Sequence, residues 1–152
     1  MDVVPPADYL WDLRSPWPWR DNSIDEIFAH DVFEHVDNAD FRGNRGKIWV
    51  LNEAWRVLRP CGLLNLAVPC VMLSDGRLNP GAFSDPTHVS FWTPDDRYYF
   101  CEPWNDARGE RGRLGPGYGI IALYREIRWE LRDYGSGREK RSKIYAQLEA
   151  LK

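Results

Sequence analysis

The stretch AHDVFEHVDN, residues 29–38, concentrates two histidines and three acids directly after the apolar run SIDEIFA. His30 is a candidate to take a proton from an acceptor hydroxyl or amine, a task that suits an imidazole. The competing role is a histidine that satisfies backbone groups at a strand end. Asp31 and Glu34 stand three apart, so a helical turn puts both carboxylates on one face, with His35 beside them. Glu34 is helped by a helix N-terminus, and His35 is expected to hold the corner in shape. No HExxH or comparable ligand spacing occurs, so the spacing predicts no metal site. A second candidate is His88 in DPTHVSFW (85–92), with Asp85 able to orient its ring. Its alternative is a loop-tying hydrogen bond to the backbone. Phe91, Trp92 and Tyr98 could wall an acceptor pocket, or build core.

These residues need a scaffold. The run 24–30, with Ile24, Ile27, Phe28 and Ala29 apolar between a DNS turn and a charged cluster, reads as an interior parallel strand. DYLWDL (8–13) reads as a strand closed by the SPWPWRDNS turn. VFEHV starts a helical turn. In GNRGKIWVLNEAWRVLRPCG (43–62), Ile48, Leu51, Ala54, Trp55 and Leu58 recur at spacings of three and four, predicting a helix stopped by Pro60 and Gly62. LLNLAVP (63–69) is the next strand, and strand–helix–strand in this order implies a right-handed parallel crossover. Residues 70–119 form a loop-rich insertion or lid with a short helix at DDRYYFCEPW (95–104). IIALYREIRWELRDYG and RSKIYAQLEALK fit a C-terminal antiparallel hairpin, with Ile127, Trp129 and Leu131 alternating on one strand and Ile144, Ala146 and Leu148 sharing a face on the other.

Composition narrows the function classes. A chain of 152 residues is one domain's worth of core, divided here into 8–69, 70–119 and 120–152. The three cysteines form no CxxC pair, which argues against a disulfide framework and for a reducing cytoplasm. The N-terminus has acids where a signal peptide carries bases, and the longest apolar stretch is short of the ~20 residues of a bilayer span, so no membrane association is expected. Net charge is −3. The basic stretch Arg108–Lys143 is interleaved with Glu126, Glu130, Asp133 and Glu139, which dilutes any phosphate-binding stripe. Nucleic acid is therefore an unlikely partner, and no N/D-P-P-Y/F/W motif is present.

WDLRSPWPWRDNSIDEIFAHDVFEHV (11–36) followed by LNEAWRVLRPCGLLNLAVP (51–69) resembles the middle and later motifs of class I S-adenosylmethionine-dependent methyltransferases of the type 11 kind. There a P-x-P-x-x-D-N-S-x-D turn precedes a strand ending before EH, and a helix runs into RVL-x-PGG and a strand ending in VP. DPTHVSFWTPDD (85–96) is similar to a stretch after the last parallel strand. Cys61 stands where the family usually has Gly. The resemblance implies a partial Rossmann-like α/β sheet of parallel strands with the hairpin at its end. It implies S-adenosyl-L-methionine as cofactor and methyl transfer to a small-molecule or glycan-type acceptor. Asp12 and Leu13 fall at the adenine-contacting strand end, Ala29 and His30 at the corner facing the methionine part, and Asp2 at the ribose acid. His30, Asp31 and His88 are the candidate catalytic groups.

The family's glycine-rich cofactor loop has no counterpart in this sequence, which opens a second reading: a noncatalytic binding or regulatory module. GPGYG (115–119) does not substitute, because no buried strand delivers it and no helix follows; it reads as a flexible loop. The same absence would leave a hydrophobic strand edge open, so a homodimer or a partner chain completing the sheet is expected.

Overall fold

The computed structural model describes residues 10–37, 46–102, 104–105, 111–112 and 115–152. Asp2 lies outside them. The architecture is mixed α/β around a four-stranded sheet. Strand β1 (Ile24–His30) pairs in parallel with β2 (Leu58–Pro69), and the crossover between them carries α1 (Lys47–Val57). The hairpin β5 (Tyr124–Tyr134) and β6 (Arg141–Ala150) adds two antiparallel strands, giving the order β1-β2-β6-β5.

α1 ends at Val57, and β2 begins on the next residue instead of at Leu63. Pro60 supplies the reason. Its ring would clash with the carbonyl of Arg56 in a continued helix, and it drives Arg59 to extended backbone. Leu58 is already extended, at φ −62° and ψ 139°. Cys61 then sits at φ 63°, a left-handed conformation that suits glycine far better than a residue with a Cβ.

The core lies between the sheet and α1. Val50, Leu51, Ala54 and Val57 from the helix meet Leu64, Leu66 and Val68 of β2 and Ile144, Ala146 and Leu148 of β6. Ile48 and Trp55 are only partly buried at its margin, so the buried stripe is rotated toward Val50 and Val57 relative to the predicted set. On the opposite face of the sheet, Asn65 donates to Glu26 Oε1 at 2.8 Å and accepts from Gln147 Nε2 at 3.0 Å, while Phe28 is 66% exposed.

The expected strand at 8–13 is not formed over its described part. Leu10 makes an isolated bridge, and Asp12 instead opens a turn, accepting from Ser15 N–H at 2.9 Å through its carbonyl and from Arg14 N–H at 2.9 Å through its carboxylate. This is the Asx chemistry that competes with a ladder. Within β5 a bulge between Glu126 and Arg128 turns Ile127 outward, 49% exposed, while Trp129 and Leu131 pack on the core.

Segment 70–119 is tied to the sheet. It carries α2 (Gly81–Ser84), α3 (Arg97–Phe100) and a two-residue antiparallel pair, β3 (Trp104–Asn105) with β4 (Arg111–Gly112). The buried Asn79 amide donates to Cys70 O at 2.6 Å and Ser142 O at 2.9 Å, and Val89 and Ser90 N–H both donate to Glu34 O. Residues 115–118 form a 3₁₀ turn, and a Cβ on the buried Gly115 would lie 2.2 Å from Tyr99 O.

Candidate functional site

The polypeptide changes direction sharply at the end of β1. Asp31 N–H extends the parallel ladder by donating to Ala67 O at 2.9 Å, yet Asp31 has φ 55°. Asp is among the few residues that tolerate this region, and such conformations cluster at functional sites. The chain then enters a 3₁₀ turn, Phe33–His35. Neighbouring residues around this turn serve two different clefts, Val32 and Phe33 one and Asp31, Glu34 and His35 the other.

The larger cleft, about 610 Å³, lies at the carboxyl ends of β1 and β2. Asp31, Glu34, His35 and His88 line one side, and Tyr134, Arg141 and Lys143 the other. The hairpin residues arrive because β6 runs antiparallel to β2, which places Lys143 opposite Pro69. Lys143 Nζ meets Asp31 Oδ2 at 2.6 Å. Burial lowers the Lys143 pKa, but the Asp31 contact outweighs it and holds the ammonium above its usual value. Of the sequence candidates, Asp31 and His88 are thus brought to one cleft.

His88 is held from within its own loop. Nδ1 faces Ala82 O at 3.1 Å, an arrangement that forms a hydrogen bond only with the proton on Nδ1. Asp85, expected to orient this ring, stands 3.9 Å from Nε2 and instead accepts from Thr87 N at 2.8 Å and Thr87 Oγ1 at 2.6 Å. Those bonds, the hydroxyl's first, keep the Asp85 carboxyl below its ordinary pKa. The loop-tying bond is therefore formed, and among the described residues Nε2 has no hydrogen bond.

His30 is not brought to this cleft. It stands on the exposed face of β1, its ring 6.2 Å from that of Phe28, because period-two alternation sends Ala29 inward and both neighbours outward. Trp92 is core at 1% exposure, Phe91 packs on Phe83 at 5.0 Å, and Tyr98 holds Arg97, so none of the three lines the cleft. Tyr134, Arg141 and Lys143 escaped the sequence reading; the only signal for them was the hairpin itself, whose register fixes their position.

The second cleft is an apolar groove of about 290 Å³ lined by β1 and by Leu13, Trp17 and Trp19. Leu13 and Ala29 line it together with Trp17, Trp19, Val32 and Phe33. Its outer wall is fixed by Glu53, which accepts from Trp17 N–H at 2.8 Å and from Arg56 through both oxygens, each at 2.8 Å. Asp12 does not share the groove: Arg14 engages its carboxylate at 2.9–3.2 Å.

The resemblance implies S-adenosyl-L-methionine, and the described residues fit it only in part. Leu13 and Ala29 offer an apolar ledge suited to a ring. No glycine-rich turn from a strand into a helix N-terminus occurs among the described residues, so the charged methionine part has no cradle in them.

No family model matches the chain, and no curated protein matches it. Among solved structures, a chain in the "Complex between the Haloferax volcanii Trm112 methyltransferase activator and the putative methyltransferase" is similar to it, with a TM-score of 0.56 and 13% identity. The match covers 95% of this chain and 61% of that one. At that identity the likeness establishes the fold: this chain has the architecture of part of a methyltransferase-like domain.

Proposed function

We propose that the chain is an S-adenosylmethionine-dependent methyltransferase-like protein whose larger cleft receives a small-molecule or glycan-type acceptor. The observation that carries this reading is the cleft's position at the carboxyl ends of β1 and β2, where open α/β sheets bind ligands. Bound S-adenosylmethionine would supply an electrophilic methyl group. This chain's part is to seat the acceptor and take its proton. Lys143 and Arg141 favour an oxygen-rich acceptor, Asp31 is fixed by Lys143, and His88 presents an Nε2 free to accept a proton. His30 is a second acceptor-side candidate only if the substrate reaches over the exposed face of β1.

Calorimetric titration with S-adenosylmethionine and S-adenosylhomocysteine tests the reading. Saturable binding supports an enzyme. Silence at about millimolar ligand, far weaker than ordinary cofactor affinities, favours the second reading, a noncatalytic binding or regulatory module. The observation favouring that module is the absence of a glycine-rich cradle among the described residues.

We further propose that a second copy or a partner chain adds a strand to β1. Among the described residues β1 is hydrogen-bonded to β2 alone, and an open strand edge beside an apolar groove is a template for pairing. Sedimentation at micromolar concentration should show a dimer; a stable, well-folded monomer would count against self-association.

A further inference from the structure

Three groups that line the larger cleft converge on one point. Glu34, His35 and His88 each place one ligand-type atom within 4.8 Å of the others. The two rings meet at 5.1 Å between centroids and 65° between planes. Glu34 is 2% exposed, and among the described residues neither of its carboxylate oxygens has a hydrogen-bond partner outside Glu34 itself. A buried carboxylate in that condition is costly, because its desolvation is uncompensated.

The histidines are prepared in the way metal ligands are. His88 gives Nδ1–H to the Ala82 carbonyl at 3.1 Å. His35 Nδ1 faces the Thr87 carbonyl at 3.1 Å and Thr87 Oγ1 at 3.0 Å, while that hydroxyl donates onward to Asp85 at 2.6 Å. With its proton committed to Asp85, Oγ1 can only accept from His35, so both rings carry the proton on Nδ1. Each therefore keeps an Nε2 lone pair, and the partner on the other nitrogen fixes the ring, as outer-sphere groups do for zinc-bound histidines.

We propose that Glu34, His35 and His88 bind one divalent transition-metal ion of the zinc, cobalt or manganese class on the wall of the larger cleft. Two imidazoles with one carboxylate suit these ions better than magnesium or calcium, which prefer oxygen sets. Ligand atoms at ~2.0–2.2 Å from a common ion stand ~3–3.5 Å apart, so binding draws the trio together by about an ångström or more. The Glu34 carboxylate gains the partner it lacks, and the remaining coordination positions face the cleft. The site needs no cofactor to form, so its test does not depend on the methyltransferase reading, although it shares that reading's cleft. It would occupy His88 Nε2, leaving Asp31 as the acceptor-side base.

The test titrates the intact chain, without S-adenosylmethionine, with Co²⁺ followed by visible absorption and with Zn²⁺ in competition with a chromophoric chelator. The expected result is one ion per chain, with affinity reduced about tenfold or more in each of His35→Ala, His88→Ala and Glu34→Gln. His30→Ala, on the exposed face of β1, should bind as the wild type does, and Mg²⁺ should not compete. His35 is exposed, so its variant retains the fold even if His88→Ala does not, and circular dichroism verifies this. Absence of saturable Co²⁺ and Zn²⁺ binding overturns the proposal, as does unchanged affinity in His35→Ala.

Discussion

Two residues give the sharpest expectations about stability. Cys61 holds φ 63°, so Cys61→Gly should stabilise the chain by about 1 kcal/mol, read as a higher midpoint in urea; an unchanged or lower midpoint would show that the conformation carries no strain. Glu53 is 7% exposed. Its desolvation raises its pKa, but bonds from Arg56 and from Trp17 N–H outweigh that and leave the folded value below the unfolded one. A lowered carboxylate pKa contributes stability in full above the unfolded value and loses it as pH falls through the folded one. Glu53→Gln should therefore cost about 1–3 kcal/mol at pH 7, and the difference from wild type should shrink in urea melts run at progressively more acidic pH below the ordinary glutamate range. A pH-independent gap would contradict the assignment. At this scale the sequence showed which types of group were available, and it offered Asp31 and His88, which the structure places along one cleft. It could not show that Glu34 and His35 meet His88, because that contact joins positions more than fifty apart through the bonds from Val89 and Ser90 N–H to Glu34 O.

Among the elements, β1, α1, β2 and the hairpin were legible in their apolar runs and turn residues, although β1, read as an interior strand, stands at the end of the described sheet with Phe28 66% exposed, and the buried stripe of α1 is rotated from the predicted set. The misread places are those where a local bond or a bulge overrides the pattern: the Asp12 turn, the bulge at Ile127, and the helix end moved back to Val57 by Pro60. The GPGYG stretch shows the limit most clearly. Its composition suggests mobility, yet Gly115 is required by close packing against the Tyr99 carbonyl. Gly115→Ala should destabilise by about 1–3 kcal/mol, as overpacking does, whereas Gly117→Ala, where a Cβ meets nothing within 4 Å, should leave the thermal midpoint nearly unchanged. Equal effects of the two would refute the packing role.

Among the described residues, a four-stranded sheet carries a polar cleft at the ends of β1 and β2 and an apolar groove beside β1. No helix among the described residues is long and apolar enough to cross a membrane. The chain's likeness to 61% of a methyltransferase-complex chain agrees with the fold anticipated from the 11–69 motifs, whereas no periodicity could have revealed how the hairpin completes the cleft. The central claim, that this sheet is built to hold S-adenosylmethionine beside an acceptor cleft, is tested most directly by amide chemical-shift mapping of the ¹⁵N-labelled chain with S-adenosylhomocysteine. The account predicts saturable shifts clustered at Leu13, Ala29, His30, Asp31 and Val32, with little change at the far end of the hairpin near Ala150. No saturable shift at any of these five residues, or shifts confined to other surfaces, would contradict it.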